Sequence, residues 1–136
     1  MAAGAVALGS LTVISVDLTA AQAAPASKSA AVVKVVTRGK FGKILATTKG
    51  RSLYILPKGS CTGSCLPVWP PLVMPKGTTV PTGTHCLKTA SFHGKLQVTY
   101  RGKRLYLFSG DSGTSVNGNG EGGFKVAKFS ASACPM

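Results

Sequence analysis

Acidic side chains are scarce in this chain. Sixteen Lys and Arg stand against three Asp and Glu, which gives a formal net charge of +13. After Asp17 the only acids are Asp111 and Glu121, both in a glycine-rich stretch. Acid–base catalysis by paired carboxylates needs two acids at a fixed separation, whereas we expect these two to be solvated. The composition therefore argues against enzymes of the paired-carboxylate type.

Motifs for other kinds of catalysis are missing too. A Gly-x-Ser-x-Gly nucleophile elbow is absent, because the nearest match has Cys61 at its centre, and no phosphate loop ends in Gly-Lys-Ser/Thr. We therefore predict a protein that is not an enzyme and has no cofactor. The alternative is an exported enzyme or redox protein that uses the adjacent His85 and Cys86, which requires a free thiol.

Arginine is also rare, with four Arg against twelve Lys, and the positive charge forms no run of five or more residues. Bidentate recognition of guanine edges prefers Arg, so sequence-specific nucleic-acid binding is not expected. A basic surface attracts polyanions in a salt-sensitive way. The predicted partners are therefore anionic cell-wall polymers or the membrane surface.

Four cysteines are present, and neither Cys-x-x-Cys nor Cys-x-x-Cys-His occurs. In a short exported chain this number predicts two disulfides, for which three pairings exist. We favour Cys61–Cys65, which closes a tight loop, together with Cys86–Cys134, which ties the tail to the middle of the chain. In the chain-entropy treatment the first disulfide adds about 2 kcal/mol and the second about 4 kcal/mol to the free energy of unfolding. A metal site is the rival, but the spacing matches no common zinc motif.

The N-terminal part is typical of an export signal. Residues 2–16 are apolar and rich in small residues, and Ala21-Gln22-Ala23 provides a cleavage site. The apolar run is too short to span a bilayer, which takes about 20 residues, and no Cys follows it to carry a lipid anchor. The predicted division is a signal peptide over residues 1–23, a flexible lead-in over 24–31 and one secreted domain over 32–136.

An internal repeat dominates the predicted domain. Residues 43–56 (KILATTKGRSLYIL) align without gaps on residues 95–108 (KLQVTYRGKRLYLF), and His93 takes the place of Phe41, as a turn residue would. A fixed period indicates copies of one structural unit, and no segment has a helical period. We therefore predict an all-β fold. Its two tandem β-hairpin repeats would span about residues 43–71 and about residues 95–127.

The alternation within each copy predicts how the hairpins pack. Cross-strand partners share a face, so two-residue turns would give each copy an apolar quartet, with Tyr54 and Tyr106 on the opposite faces. Strands that are apolar on both faces are usually covered on both. We therefore predict two hairpins packed about a pseudo-twofold axis, with the two tyrosines at equivalent positions. The facing pairs would be Ile44–Ile55 and Ala46–Leu53 in one copy, and Leu96–Leu107 and Val98–Leu105 in the other.

Two further features suggest sites. Trp69 lies in the Pro- and Gly-rich segment between the repeats; a lone Trp is most often buried, so we place it in the core, with ligand stacking as the alternative. Residues 111–123 alternate Gly with oxygen-bearing side chains, as calcium loops do, but the spacing is not that of an EF-hand and a turn held by Asx hydrogen bonds is expected. The weak metal candidates are Asp111, Asn117, Asn119 and Glu121.

Three blocks in order carry a family resemblance. They are Cys61-Thr-Gly-Ser-Cys65 with Trp69-Pro-Pro, then Tyr106-Leu-Phe-Ser-Gly-Asp111, then residues 117–124 (NGNGEGGF). The chain thereby resembles a family of bacterial secreted-repeat proteins and predicted lipoproteins with a Tyr-x4-Asp motif, which carries no established function. The resemblance implies export and two repeats. The chain departs from the family pattern at Gly59 in place of Asp, Phe124 in place of Trp and Lys125 in place of His.

The functional expectation is an exported, non-enzymatic domain at the cell envelope or outside the cell. It would bind anionic polymers or serve a structural role. A small-ligand or metal-binding module around residues 106–121 is the alternative. The candidate binding residues are Tyr54, Trp69, Tyr106, Phe108 and Asp111.

Overall fold

The computed structural model describes residues 27–136, and the predicted signal peptide lies outside them. Within residues 27–136 the chain forms nine short strands, one turn of α-helix and two 3-10 turns, which confirms the all-β class. The strands are β1 (Ser29–Ala31), β2 (Val33–Thr37), β3 (Lys43–Thr47), β4 (Tyr54–Ile55), β5 (Val80–Thr82), β6 (Leu87–Phe92), β7 (Lys95–Tyr100), β8 (Lys103–Arg104) and β9 (Lys125–Val126). The helical turns are α1 (Cys65–Val68), Gly39–Phe41 and Glu121–Gly123. No helix in this part of the chain has the length and apolar character to cross a membrane.

The strands form four small sheets, and isolated bridges add further backbone pairing between chain segments. Antiparallel pairing gives β2–β3, β4–β9 and β6–β7–β8, while β1 pairs with β5 in parallel. Tyr54 and Tyr106 form the bridge at the centre, where each backbone N–H donates to the carbonyl of the other at 2.8 and 2.9 Å. An antiparallel pair made by the same residue of two copies lies on a local twofold axis. The predicted equivalence of the two tyrosines is therefore confirmed.

Each repeat contains a closed ring of three backbone hydrogen bonds. In the first repeat the N–H of Leu53 donates to Leu45, that of Leu45 donates to Ala127 and that of Ala127 donates to Leu53, with distances of 2.8 to 3.0 Å. The matching ring of the second repeat is formed by Leu105, Val98 and Leu72, also at 2.8 to 3.0 Å. The segment that completes the first repeat thus comes from the end of the chain. The segment that completes the second repeat comes from between the two.

The second hairpin has the predicted register. Its two turn residues, Arg101 and Gly102, have φ angles of 52° and 83°, and the N–H of Leu105 donates to Val98 at 3.0 Å. Two consecutive positive φ angles characterise the type I′ turn, whose twist matches that of the flanking strands. The two-residue turn therefore fixes Val98 opposite Leu105.

The first hairpin differs from its prediction by one residue. Ala46 pairs with Ser52 and not with Leu53, because the loop has three residues and ends in Gly50, whose φ is 96°. A glycine with positive φ at the last position is typical of three-residue hairpin loops. The gap-free alignment is therefore out of step on β3, where Leu45 and not Ala46 is the counterpart of Val98.

This shift separates two residues that the alignment had equated. Ile44 is fully buried in the aromatic part of the core, whereas Leu96 is partly buried against the aliphatic part. The aliphatic cluster consists of Val32, Val33, Leu45, Leu53, Met74, Val98, Tyr100, Leu105 and Ala127. The aromatic cluster consists of Ile44, Tyr54, Cys61, Trp69, Tyr106, Phe124 and Val126.

The predicted lead-in is structured at its C-terminal end. Residues 29–31 form β1, which pairs with β5, and the N–H groups of Thr79 and Val80 both donate to the carbonyl of Lys28 at 2.9 and 3.0 Å. Side-chain composition gave no sign of this strand, because backbone groups supply the pairing. The flexible lead-in expected over residues 24–31 is corrected for residues 29–31, and residues 24–26 lie outside the described part.

Both predicted disulfides are present. Cys61 is bonded to Cys65 and Cys86 to Cys134, with Cα–Cα distances of 5.3 Å in each pair. No cysteine of residues 27–136 is free, so the described chain lacks the thiol that the redox alternative requires. Two structural disulfides are typical of extracytoplasmic proteins.

Candidate functional site

The aromatic cluster is arranged around the pseudo-twofold axis. Trp69 stacks on Phe124 with ring centroids 3.7 Å apart and planes 10° apart. Tyr54 lies edge-on to Trp69 and Tyr106 lies edge-on to Phe124, both at 5.3 Å. Edge-to-face and offset contacts of this kind add about 0.5–1.5 kcal/mol per pair beyond burial. Trp69 therefore lies in the core, which was the preferred prediction, and it does not face solvent. Phe108 also stacks on Trp69, with ring centroids 4.5 Å apart.

Asp111 is held by a hydrogen-bond network that crosses between the repeats. The Tyr54 hydroxyl donates to Oδ2 at 2.6 Å, and Oδ1 accepts from the Asn117 N–H at 2.7 Å and from the Ser115 hydroxyl at 3.2 Å. The residue is only 9% exposed, so the expectation of two solvated acids is wrong for Asp111, while Glu121 is exposed. Burial and the bond to Asp111 raise the pKa of Tyr54. The network keeps the tyrosine neutral and orders residues 111–118.

The oxygen-rich loop directs several of its groups inward. The side-chain oxygen of Asn119 accepts from the Val126 N–H at 2.9 Å, and the side-chain amide of Asn117 donates to the Gly110 carbonyl at 3.3 Å. Together with Asp111, these groups hold the loop against β9 and against Tyr54. The four weak metal candidates therefore do not present a common set of free oxygens, and the arrangement is that of a turn held by side-chain hydrogen bonds.

The two histidines lie outside the aromatic cluster. His93 has a φ of 44° and precedes Gly94 in the turn between β6 and β7, which confirms its assignment as a turn residue. His85 is exposed beside the Cys86–Cys134 disulfide, and its Nε2 lies 3.3 Å from the Ser132 carbonyl. The ligand atoms of His85, Cys86 and Cys134 lie within 4.8 Å of one another, but the disulfide occupies both sulfurs.

The lysines and the arginines have different roles in the fold. All twelve lysines are exposed, whereas the arginines donate to backbone carbonyls: Arg38 to Thr114 and Gly50, Arg51 to Phe108 and Arg101 to Ser130 and Ala133. The planar guanidinium can serve several carbonyls at once, and the flexible ammonium stays hydrated. Arginine therefore closes loops in this fold, and lysine forms the charged surface.

Three lysines converge on a surface cavity of about 480 Å³. We call it the lysine pocket; it is lined by Lys40, Phe41, Ile55, Asn119, Lys125, Val126 and Lys128. The Gly39–Phe41 turn, β4 and the β9 segment meet there, so residues far apart in sequence form one surface. No acidic side chain from residues 27–136 lines it. Sequence reasoning missed this site, because only the exchange of β9 onto the first repeat brings Lys125 and Lys128 beside Lys40.

Comparisons with protein-family models, with curated proteins and with solved structures find no match to this chain. The resemblance to the Tyr-x4-Asp secreted-repeat family therefore stays a prediction carried by its three sequence blocks. The geometry adds that Asp111 and Tyr54, one from each repeat, meet in the interior. Of the candidate binding residues, Tyr54, Trp69, Tyr106, Phe108 and Asp111 all lie in or against the aromatic cluster.

Proposed function

We propose that this protein is a secreted, non-enzymatic domain that binds anionic polymers of the cell envelope through its lysine surface. The lysine pocket carries the proposal, because three lysines line one cavity that no carboxylate of the described chain lines. Phe41 and Ile55 supply apolar surface beside these charges. A polymer with regularly spaced anionic groups could contact the lysines together, whereas an isolated anion would contact fewer.

The distribution of charge across the fold supports this proposal. Asp111, one of the two acids in residues 27–136, is hydrogen-bonded in the interior to neutral donors. The twelve exposed lysines thus meet almost no internal counter-charge. A surface of one sign raises the local concentration of oppositely charged partners and accelerates encounter. Export and membership of the Tyr-x4-Asp family belong to the same proposal, which two disulfides and the three sequence blocks support.

The test is retention of the folded protein on isolated cell wall and on an anionic resin across a salt series. We expect elution to require less salt after K40Q, K125Q and K128Q are combined than after K49Q, K76Q and K88Q are combined. Both triple variants lose the same net charge, and the control lysines are exposed and lie outside the lysine pocket. Retention of the unmodified protein that does not change with salt would contradict the proposal, since attraction between exposed charges is screened. Elution of the two triple variants at the same salt concentration would show that the lysine pocket is not the site of polymer binding.

A further inference from the structure

The pseudo-twofold axis relates two tyrosines whose hydroxyl groups have different surroundings. Asp111 lies five residues after Tyr106 and reaches across the axis to the Tyr54 hydroxyl. The residue five positions after Tyr54 is Gly59, which has no carboxylate to offer to Tyr106. The symmetry that provides Tyr54 with an acceptor therefore leaves the corresponding place beside Tyr106 without one.

The hydroxyl of Tyr106 has no hydrogen-bond partner among residues 27–136. The residue is 4% exposed, and the side-chain hydrogen bonds of the described chain include Tyr54 and Tyr100 but not Tyr106. A buried hydroxyl without a partner is costly, and nearly all such groups in folded proteins are satisfied by protein, water or ligand. Tyr106 is therefore a mostly buried residue whose hydroxyl has no acceptor within residues 27–136.

Two adjoining cavities open beside this tyrosine. One of about 260 Å³ is lined by Gly59, Ser60, Lys103, Arg104 and Tyr106 among others, and one of about 320 Å³ shares Ser60, Arg104 and Tyr106 with it. We call the pair the Tyr106 cleft. No acidic side chain of residues 27–136 lines either cavity, and Arg104 lines both.

The Arg104 guanidinium keeps donors available within the Tyr106 cleft. Its Nη1 donates to the Ser91 carbonyl at 3.0 Å and to Gln97 Oε1 at 2.8 Å. These two bonds fix the plane of the group, and no described residue accepts from Nη2 or Nε. A fixed guanidinium with free N–H groups suits a carboxylate, which accepts two parallel hydrogen bonds from it. Lys103 adds a second positive charge, and its ammonium makes only a long contact of 3.5 Å with the Pro57 carbonyl.

We propose that the Tyr106 cleft binds a carboxylate group supplied by another molecule, in the place that an acid at position 59 would occupy. The ligand accepts from the Tyr106 hydroxyl as Asp111 accepts from Tyr54, and it pairs with Arg104 and Lys103. The volume admits a small organic acid or the carboxylate end of a peptide. This cleft shares no lining residue with the lysine pocket, so it does not rest on the proposed polymer binding.

The test is an NMR titration of the oxidised protein with sodium acetate, and with a short neutral peptide bearing either a free or an amidated C-terminus. We expect acetate and the free peptide to shift the amide signals of residues 59–62 and 104–106, and the amidated peptide to have no effect. Acetate binding alone identifies a small acid as the source, and tighter binding of the free peptide identifies a chain end. Measurement at about 0.3 M salt screens the exposed lysines, so failure of this proposal is distinguishable from failure of polymer binding.

Three variants decide whether the cleft is responsible. Y106F removes only the hydroxyl and should weaken binding about tenfold or more, as loss of a hydrogen bond to a charged group does. G59D supplies the carboxylate from within and should abolish binding, whereas G59N carries the same backbone strain at a φ of 87° without charge and should retain it. The proposal is overturned if the unmodified protein does not respond to acetate or to the free peptide. It is equally overturned if Y106F binds as tightly, or if inorganic phosphate at the same concentration shifts the same signals as strongly.

Discussion

At the scale of single residues, Tyr54 and Tyr106 show how one sequence position can acquire two roles. Both are buried in the aromatic cluster, and each lies edge-on to a stacked ring. Only the Tyr54 hydroxyl is fully used, since it donates to Asp111 and accepts from the Gly118 N–H at 3.1 Å. Duplication copied the tyrosine, but position 59 carries Gly where the second repeat has Asp111. The difference between the repeats therefore resides in the residue that each tyrosine faces.

This difference predicts unequal costs for two identical substitutions. Y54F should lower the free energy of unfolding by about 2 kcal/mol, because a buried carboxylate loses one of its donors. Y106F, at a similarly buried position without a described partner, should not lower the free energy of unfolding and should raise it by about 1 kcal/mol, because an unpaired hydroxyl is removed. Urea unfolding of the two variants in parallel is the measurement. Equal losses would contradict the hydrogen-bond assignment.

The raised pKa of Tyr54 predicts a loss of stability at alkaline pH. Folding favours the protonated hydroxyl, so the stabilisation is complete below the ordinary tyrosine pKa of about 10 and is lost as pH rises above it. Above about pH 10, Tyr54 alone should therefore lower the free energy of unfolding by about 1.4 kcal/mol per pH unit. In Y54F that part of the slope should be absent, whereas Y106F should keep it. Unfolding measured between about pH 9 and pH 11 tests the sign.

At the scale of elements, loop length sets the register of each hairpin. The three-residue loop ending at Gly50 places Ser52 opposite Ala46, and the two-residue turn at Arg101-Gly102 places Leu105 opposite Val98. Because side chains alternate along a strand, a change of one residue moves them to the other face. Leu53 and Leu105 nevertheless remain equivalent. The extra loop residue of the first hairpin shifts the position of β3 and leaves the second arm of the hairpin unchanged. This is why Ile44 joins the aromatic cluster.

The two disulfides connect different elements and should contribute unequally to the free energy of unfolding. Cys61–Cys65 closes a separation of 4 residues beside Trp69, and Cys86–Cys134 closes one of 48 residues between the start of β6 and the tail. Replacing the first pair by Ala should cost about 2 kcal/mol and replacing the second about 4 kcal/mol in the chain-entropy treatment. Urea unfolding of the two double variants measures both. A larger cost for the short loop would mean that packing of Cys61 in the aromatic cluster outweighs chain entropy.

At the scale of the whole molecule, the repeats are interlocked by exchange of their third segments. The chain after the first repeat, at Leu72, bonds to the second repeat, and the chain after the second repeat, at Ala127, bonds to the first. Trp69 and Phe124 enter the shared aromatic cluster with these segments and stack on each other. Neither repeat has a complete core without the other. We therefore expect the fold to unfold as one cooperative unit, although the chain contains two copies of the repeat.

Separate fragments of residues 27–78 and 79–136 provide the test of this interlock. Each fragment retains its own disulfide, yet the first lacks Ala127 and the second lacks Leu72. We expect each alone to show no dispersed amide NMR signals, and an equimolar mixture to regain the dispersed spectrum of the intact chain. A fragment that folds alone would show that a single repeat suffices.

Much of this architecture follows from local patterns in the sequence. Alternation predicted the second hairpin, the repeat predicted the meeting of Tyr54 with Tyr106, and cysteine number with loop length predicted both disulfides. The strand β1 and the register of the first hairpin were missed. The first depends on backbone pairing with a distant segment, and the second depends on a loop conformation that alignment of two copies cannot show.

The candidate sites follow a different rule. Residue identity alone determined that the chain is basic, poor in acids and duplicated, because these properties need no geometry. Only the tertiary structure decided which distant residues meet: Asp111 with Tyr54, and Lys40 with Lys125 and Lys128. Both groups join segments from the two halves of the chain. The central Tyr54–Tyr106 pair brings Asp111 to Tyr54, and the exchange of the third segments, which no local pattern encodes, brings Lys125 and Lys128 beside Lys40.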